Sequence, residues 1–297
     1  MRKNQLTLVG GALLLLPVAA QAITMRSDYT DAQAIAYGAE SQFQSVGQCS
    51  GASGVLIAPN WVLTAYHVAG GFSGNPSGAT FTIGGNTYNG AQVVNLAPAG
   101  MSAIDAIVNG LDLTLIRLST PVVGITPAQL YMGNSERGNL LSAVGFGLGG
   151  NGNTGQVPGT GGIKRAMRNK IDEYFVATGN PGEIDISPDR TGLFASDFDS
   201  NLPGNNSLGT QDWVDYEGNL ASGDSGGGVF IEENGQFWLA GVNSAIGGGA
   251  GYGDVSFFTS AGFSRQWIQD TTGVPEPGTM ALIGIAAVAA LRKRNRK

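Results

Sequence analysis

The chain has 297 residues, with 16 Lys and Arg against 22 Asp and Glu, and a net charge of −6. Between residues 23 and 273 there are nine basic and 21 acidic residues, which gives that segment a net charge of −12. An acidic surface repels phosphate backbones, so the composition argues against a nucleic-acid-binding protein. The single cysteine, Cys49, excludes an intramolecular disulfide. We expect it to be buried and inert, and pairing between chains is the alternative.

The N-terminal 22 residues have the three parts of a secretory signal peptide. A basic pair at positions 2 and 3 precedes an apolar run from Leu6 to Val18, and Ala20-Gln21-Ala22 has the small-x-small pattern of a cleavage site. Cleavage there by signal peptidase would leave Ile23 as the new N-terminus. A buried N-terminal helix is the alternative interpretation.

Short apolar or alternating segments between Gly, Asn and Pro residues fill the middle of the chain, which is typical of an all-β sandwich or barrel. The predicted strands are Gly54–Ile57, Trp61–Thr64, Thr80–Ile83, Gln92–Leu96, Leu113–Leu118, Leu140–Val144, Val229–Ile231 and Phe237–Val242. Only Ala261–Asp270 is predicted as a helix, because Phe263 and Trp267 lie four residues apart.

Prolines between Ser119 and Arg137 interrupt the strand pattern, and we place a boundary there between halves 23–130 and 131–273. The glycine-rich stretch Gly145–Gly162 is predicted as a mobile surface loop, since a phosphate-binding loop needs a following helix. The sequence Asp197-x-Asp199-x-Asn201 suggests calcium ligands, but it lacks the glycine and final glutamate of an EF-hand, so an acidic surface turn is favoured and no metal site is predicted.

Three short motifs carry the chemistry. The only histidine, His67, lies in Leu-Thr-Ala-Tyr-His, Asp112 begins Asp-Leu-Thr-Leu-Ile-Arg-Leu, and Ser225 lies in Gly-Asp-Ser-Gly-Gly. A nucleophilic serine needs a base, and the base needs a carboxylate that fixes its tautomer. Asp105 competes with Asp112, but only Asp112 begins an apolar strand pattern. Together the motifs predict a serine hydrolase.

In their order His, Asp, Ser, these motifs resemble those of the trypsin-like (chymotrypsin-fold) serine proteases, over Ile23 to about Asp270. The resemblance implies two six-stranded antiparallel β-barrels and a short C-terminal helix. The first barrel would carry His67 and Asp112, and the second Ser225. It further implies an endopeptidase that acts on proteins or peptides through an acyl-enzyme and requires no cofactor.

The resemblance also assigns backbone and terminal roles. The N–H groups of Gly223 and Ser225 would form the oxyanion hole. In this family a new N-terminal residue inserts its ammonium beside the aspartate that precedes the serine. Here Ile23 and Asp224 would form that activation pair, so signal-peptide removal alone would activate the protein. The alternative is a frayed Ile23, with Asp224 held by other groups.

Substrate-binding roles follow for Asn219 and Ser244. Asn219, six residues before Ser225, stands where tryptic members carry an aspartate, so a preference for Lys or Arg is not supported. Ile246 is expected to narrow the pocket towards small apolar side chains, and the alternative is that Asp254 reaches the pocket.

Two departures from the family pattern keep a second function class open. Tyr66 replaces a small residue beside His67, and Ala245 replaces an aromatic residue near the substrate backbone. The alternative is a catalytically inactive protease-fold binding or extracellular-matrix protein. A non-peptide serine esterase is a third hypothesis, disfavoured by the residue order and by the absence of Gly-x-Ser-x-Gly before a helix.

The C-terminal segment 274–297 has three parts of its own. Val274-Pro275-Glu276-Pro277-Gly278 precedes the 13 apolar residues of Thr279–Leu291, and a basic cluster ends the chain. This order resembles the PEP-CTERM sorting signal of Gram-negative bacteria, which implies processing by an exosortase-type enzyme and a location in the periplasm, on the outer surface or in the extracellular matrix. A plain membrane anchor is the alternative, although a spanning helix needs about 20 residues.

Overall fold

A computed structural model describes residues 6–7, 23–209 and 213–274. The strands are β1 (Leu6–Thr7), β2 (Thr24–Met25), β3 (Val46–Cys49), β4 (Ala52–Ala58), β5 (Trp61–Thr64), β6 (Thr80–Ile83), β7 (Asn86–Asn95), β8 (Thr114–Leu118), β9 (Leu140–Gly145), β10 (Gly150–Asn151), β11 (Gly155–Gln156), β12 (Arg165–Lys170), β13 (Glu173–Ala177), β14 (Glu183–Ser187), β15 (Leu193–Asp197), β16 (Gly218–Asn219), β17 (Gly228–Glu233), β18 (Gln236–Gly247) and β19 (Val255–Ser260). The helices are α1 (Asp31–Gly38), α2 (Tyr66–Ala69), α3 (Ala103–Val108) and α4 (Arg265–Thr272), with short 3₁₀ helices at Ser41–Phe43, Gly70–Gly74, Pro76–Gly78 and Pro203–Asn205.

The predicted end segments fall almost entirely outside the described residues. Of the predicted signal peptide only β1 is described, and it pairs with β14. Of the predicted sorting segment only Val274 is described. Within the described residues, strands dominate, which confirms the predicted all-β class.

The first half of the chain forms a closed six-stranded barrel in the order β3-β4-β5-β8-β7-β6. Pairing of β3 with β6 closes it, with Gln48 opposite Thr82. Buried side chains on several strands, including Leu56, Val62 and Ile116, fill the interior. The predicted first barrel is therefore confirmed. Cys49 lies in the same interior with a free thiol, and burial raises its pKa to about 12, so the thiol stays protonated and unreactive.

The second half forms a nine-stranded sheet in the order β1-β14-β13-β15-β19-β18-β17-β9-β12. No strand ladder joins β12 to β15, and isolated hydrogen bonds connect them instead. Asn169 Nδ2 on β12 donates to the Asp197 carbonyl at 2.6 Å, and Asp172 N, just after β12, donates to the Ala195 carbonyl at 3.0 Å. An all-β second half is thus confirmed, but it is not the clearly closed six-stranded barrel that was predicted. The reason is that no ladder joins β12 to β15, the strands that would close a six-stranded barrel, and β15 pairs instead with β13.

A small four-stranded sheet, in the order β11-β10-β2-β16, joins the segment at Thr24 and Met25 to the second half. Thr24 and Met25 pair antiparallel with Asn219 and Gly218 and parallel with β10. The stretch 145–162, predicted as a mobile loop, thus contains two paired strands, and the element after it is β12 and not a helix. This arrangement holds Ile23 close to the segment that precedes Ser225.

The C-terminal helix is confirmed, but α4 begins at Arg265, four residues after the predicted Ala261, because residues 261–264 form a turn. Gly273 ends α4 with φ of 68°, the left-handed conformation that glycine adopts at low cost. The connection 119–137 contains no strand, apart from a bridge of Leu130 to Leu239, so the predicted boundary at 130/131 lies in irregular chain.

Candidate active site

The loop before β8 and helix α2 bring Asp112 and His67 together. His67 Nδ1 lies 2.9 Å from Asp112 Oδ2 and 3.1 Å from Oδ1, and the His67 backbone N donates to Oδ1 at 3.0 Å. These three contacts form because β5 pairs with β8, with Thr64 opposite Thr114, so the residues that follow β5 meet those that precede β8. Asp105 instead accepts from Ser102 at the start of α3.

Asp112 is completely buried, and Ser244 Oγ donates to its Oδ2 at 2.5 Å. A buried carboxylate without partners is costly, so the donors from His67 and Ser244 stabilise it. Hydrogen bonding to Asp112 identifies Nδ1 as the protonated nitrogen of the neutral ring and leaves Nε2 as an acceptor. Ser244 is on β18, so this contact joins the barrel to the nine-stranded sheet.

The pKa of His67 is raised above its ordinary value. Burial of the ring acts to lower it, and the charge of Asp112 together with its hydrogen bond outweighs that effect. Asp112 therefore stabilises the imidazolium that forms when the neutral ring takes up a proton. This is the electrostatic requirement for a base that must hold a proton during a reaction.

Ser225 lies in a tight loop that is attached to the first barrel. Its carbonyl accepts from Ser53 N at 3.0 Å, and Ser53 Oγ donates to the Gly223 carbonyl at 3.2 Å. Gly226 has φ of 78°, and a Cβ on it would lie 2.1 Å from Thr64 Oγ1. Only glycine fits so close to Thr64, which lies three residues before His67. The approach of Gly226 to Thr64 therefore places the loop of Ser225 against the segment that leads to His67. No motif in the sequence indicated Ser53, because its contacts with the loop are long-range.

No hydrogen bond joins Ser225 Oγ to the His67 ring within the described residues. Free enzymes often have long or poorly aligned catalytic hydrogen bonds that shorten when substrate binds. The structure therefore brings His67 and Asp112 into direct contact and Ser225 into the adjoining loop.

The two backbone N–H groups predicted to form an oxyanion hole, those of Gly223 and Ser225, donate to no acceptor in the described part of the chain. Gly223 has φ of 93°, a conformation that glycine permits. The loop thus contains two backbone donors, two residues apart, that have no acceptor among the described residues.

Ile23 and Asp224 are in direct contact. Ile23 N donates to Asp224 Oδ2 at 2.8 Å, and the N–H groups of Ala221 and Gly147 donate to the same carboxyl at 2.9 Å each. Asp224 is completely buried, and burial raises its pKa to about 7. The three N–H donors and the charge of Arg165 act in the opposite direction.

The predicted specificity residues have different environments. Asn219 is fully buried and accepts a hydrogen bond from Ser256 Oγ. Ile246 pairs with the same Ser256 across β18 and β19. Asp254 accepts from the N–H groups of Gly249 and Gly251 at 2.9 and 2.8 Å, so it is bound within its own loop.

The two departures also have structural partners. Tyr66 packs its ring over Gly70 and donates its hydroxyl to the Met101 carbonyl at 3.0 Å. Ala245, opposite Phe257 on β19, packs on the apolar cluster beneath the sheet.

The predicted acidic surface turn was wrong, because Asp197 and Asp199 are only 1% and 5% exposed. Asp197 accepts from backbone N–H groups of Ser207 and Leu208, and Asp199 N donates to Glu217. Burial raises the pKa of Asp172 and of Glu217 to about 8 in this cluster. Among the described residues, no group of three or more His, Cys, Asp or Glu side chains could hold a metal ion.

A cavity of about 270 Å³ lies elsewhere, between the segment around Ser45 and the β17–β18 turn, and none of the predicted site residues lines it. No described helix has the length and apolar composition needed to cross a bilayer.

Comparisons with known proteins give two family matches. Residues 273–297 match the PEP-CTERM protein-sorting motif, which indicates export to the cell envelope or surface of a Gram-negative bacterium. No curated protein matches the chain. Residues 52–238, more than half of the chain, match the trypsin-like peptidase domain and include His67, Asp112 and Ser225. The chain therefore belongs to the trypsin-like peptidase family, with a PEP-CTERM sorting motif at its C-terminus.

Proposed function

We propose that the processed chain is a secreted serine endopeptidase whose catalytic residues are His67, Asp112 and Ser225. One observation carries the proposal: the buried Asp112 carboxylate accepts hydrogen bonds from His67 Nδ1 and Ser244 Oγ. This orients the imidazole and leaves Nε2 unprotonated beside the loop of Ser225. In a Ser-His-Asp triad the buried carboxylate holds the imidazole in this tautomer and stabilises the imidazolium that forms.

The proposed reaction has two stages, formation of an acyl-enzyme and its hydrolysis. As Ser225 Oγ bonds to the substrate carbonyl carbon, His67 Nε2 takes the hydroxyl proton, and the N–H groups of Gly223 and Ser225 stabilise the oxyanion. His67 then gives the proton to the leaving amine as the C–N bond breaks, which leaves an acyl-Ser225 ester. Water then attacks the ester carbonyl as its proton passes to His67 Nε2, and when the C–Oγ bond breaks, His67 gives this proton to Ser225 Oγ and the acid product leaves.

Activation in this proposal follows from removal of the signal peptide. Cleavage by signal peptidase after Ala22 converts the Ile23 N–H into an ammonium group. The 2.8 Å contact of that nitrogen with Asp224 supports an ion pair there. The pair would order the loop 223–225, because Asp224 lies between the two oxyanion-hole residues. The alternative, that other donors hold Asp224, has support in the N–H groups of Ala221 and Gly147 and in the nearby Arg165.

Location follows from the sorting motif. An exosortase-type enzyme would process the segment after Val274, and the mature protein would act in the periplasm, on the outer surface or in the extracellular matrix. Its substrates would be proteins or peptides that reach the same place.

A non-catalytic protease-fold binding protein is the second candidate function. The specific observation in its favour is that His67 and Ser225 are not hydrogen-bonded in the described structure. Hydrolysis separates the two candidates, since a binding protein would retain partners without cleaving them.

The test is hydrolysis of fluorescent casein by the secreted protein, beside Ser225→Ala and His67→Ala. The proposal predicts that each substitution lowers the rate by at least about 10⁴-fold. Ser222→Ala is the matched control, because this exposed serine lies three residues before Ser225, and the rate should not change. A folded wild-type protein that cleaves no protein or peptide would contradict the endopeptidase proposal.

A further inference from the structure

A buried arginine on β12 forms an ion pair with the first helix. Arg165 is only 1% exposed, and an arginine is rarely buried to this extent unless it is paired. Its Nε and Nη2 donate to the two carboxylate oxygens of Asp31, the first residue of α1. Helix α1 packs directly on β12, because a Cβ on Gly38 would lie 2.7 Å from the Arg165 backbone. The guanidinium is therefore held in one orientation by a bidentate contact with a helix that packs on its own strand.

The pairing of β9 with β12 places Arg165 close to Asp224. Arg165 is directly opposite Gly145, so the two residues face the same side of the sheet. A Cβ on Gly145 would overlap Asp224 Oδ1. Because opposed Cβ atoms of antiparallel strands are about 4.5–5.5 Å apart, the Arg165 side chain begins within about 8 Å of this carboxyl.

The segment that follows β9 contacts both charged groups. Gly147 N donates to Asp224 Oδ1 at 2.9 Å. Two residues later, Gly149 packs on the guanidinium, since a Cβ there would lie 3.3 Å from Arg165 Cζ. The charge of Arg165 accordingly lowers the pKa of Asp224, against the larger effect of burial.

The charges around Asp224 come from three elements. In the processed chain the Ile23 ammonium would lie 2.8 Å from Asp224 Oδ2, just before β2. Arg165 on β12 contributes the second cation, and Asp31 on α1 opposes it. The groups that contact Asp224 from the segments around Gly147 and Ala221 are uncharged backbone N–H groups. Arg165 is thus the side chain whose charge favours ionised Asp224.

We propose, resting on the endopeptidase function above, that Arg165 is a positioning residue for the oxyanion hole, because its charge keeps Asp224 ionised and able to hold the Ile23 ammonium. Ionised Asp224 then orders the loop 223–225. Asp31 fixes the guanidinium and limits how much of its charge acts on Asp224. Arg165 acts through Asp224 and does not contact the substrate.

The test is the pH dependence of kcat/KM for a peptide p-nitroanilide between pH 5 and 8, in the processed wild-type protein and in Arg165→Gln. Loss of the cation favours the neutral carboxyl of Asp224, which cannot pair with an ammonium. We expect the acidic limb of the profile to move to higher pH by about one unit, the effect of one nearby charge. At pH 6 the rate should fall by about tenfold, mainly in kcat, since the oxyanion hole stabilises the transition state. His67 contributes to the limb in both proteins, so the displacement between them is the measured quantity.

Two variants on the same strand are compared with Arg165→Gln. Arg165→Lys keeps the positive charge and should restore the wild-type limb. Arg168→Gln, the matched control, removes a cation that acts on Tyr37 and should leave the limb unchanged. An unchanged limb in a folded Arg165→Gln protein would overturn the proposal. A lysine variant that behaves like the glutamine variant would overturn it as well.

Asp31→Asn distinguishes the effect of charge from that of packing. It breaks the same ion pair but removes a negative charge, so the limb should move to lower pH, opposite to Arg165→Gln. A shift to higher pH in both variants would mean that the pair only holds α1 in place and would overturn the proposal. If Arg165→Gln does not fold, Asp31→Asn decides alone, because its carboxylate is 57% exposed, and an unchanged or raised limb overturns the proposal.

The same measurements separate failure of this inference from failure of the proposed function. An active protein whose limb does not respond to Arg165 keeps its endopeptidase function and loses the positioning role. A folded wild-type protein that cleaves no peptide loses both.

Discussion

Asp112 and Asp224 are both fully buried near the candidate nucleophile, yet the groups that compensate their charges differ. Asp112 is bonded by His67 and Ser244, both of which lie far inside the chain. Asp224 is bonded by three backbone N–H groups, and one of them belongs to Ile23. In the proposed activation, cleavage after Ala22 would change that donor from an amide into a cation, and it would leave the partners of Asp112 unchanged. Under the proposed function, folding alone would assemble the base, whereas the oxyanion hole would depend on the new chain end at Ile23.

The largest effect is expected from Asp112→Asn in the processed protein. The amide cannot stabilise the imidazolium and favours the wrong tautomer of His67, so kcat should fall by about 10⁴-fold. Steady-state kinetics with a peptide anilide measures this. Asp105→Asn is the control, because Asp105 bonds to Ser102 and not to His67. An equal loss in both variants would remove Asp112 from the proposed triad.

A methionine placed before Ile23 tests the role of the chain end beside Asp224. The ammonium would then be on the added methionine and not on Ile23, so it could not pair with Asp224, and the oxyanion hole would lose its support. We expect kcat/KM to fall by about 10²–10³-fold, the usual effect of losing one oxyanion donor. Ile23→Val with a correctly processed terminus is the control and should stay active. If the extended protein is as active as the processed one, Arg165 and the backbone donors are sufficient to hold Asp224.

The extended protein should also lose stability as pH rises. The folded pKa of Asp224 is about 7, above the unfolded value, because of burial. A carboxyl whose pKa is raised by folding gives its full contribution to the free energy of unfolding below about pH 4. That contribution is lost as pH rises through 7. The processed ammonium favours the ionised carboxyl and reduces the loss.

Thermal melts at pH 5 and pH 8 measure this difference. The drop in Tm should be larger for the extended than for the processed protein by at least about 2–4 °C, which corresponds to about 1 kcal/mol. Asp172 and Glu217 titrate near pH 8 in both proteins, so the comparison cancels their effect. Identical pH dependence of the two forms would contradict an ion pair at Asp224.

Ser244→Ala tests the environment of Asp112, with a smaller expected loss of kcat than that of Asp112→Asn. It removes one of the donors to Asp112 and leaves His67 in place, so we expect kcat to fall by about tenfold, in line with the loss of one hydrogen bond to a charged group. Ser222→Ala, which removes an exposed hydroxyl, provides the kinetic control. A loss as large as that of Asp112→Asn would mean that Ser244 has a more direct role.

The smallest effect is expected from Tyr66→Phe. The hydroxyl donates to the Met101 carbonyl, so its removal should cost about 1 kcal/mol of stability and leave kcat/KM unchanged. Denaturant melts and peptide kinetics together measure this. A change in kcat/KM of more than tenfold would place Tyr66 in the reaction and not in the packing around His67.

Much of the candidate site could be predicted from local sequence, because His67, Asp112 and Ser225 each lie in a short motif with a chemical reason for its residues. The first barrel could be predicted only through the resemblance to the trypsin-like proteases, since apolar segments by themselves indicate strands and not their closure into a barrel. Ser53 and Ser256 could not, because single serines acquire their roles only through long-range contacts. The pairing of Thr24 with Asn219 could not be predicted either, since strands of two residues have no pattern.

Labelling of the processed protein with a fluorophosphonate, followed by mass spectrometry of its peptides, tests whether His67 and Asp112 activate Ser225. We expect one adduct, on Ser225, which disappears in His67→Ala and persists in Ser222→Ala. A folded wild-type protein that carries no adduct, or carries it on a different residue, would contradict the claim that His67 and Asp112 activate Ser225.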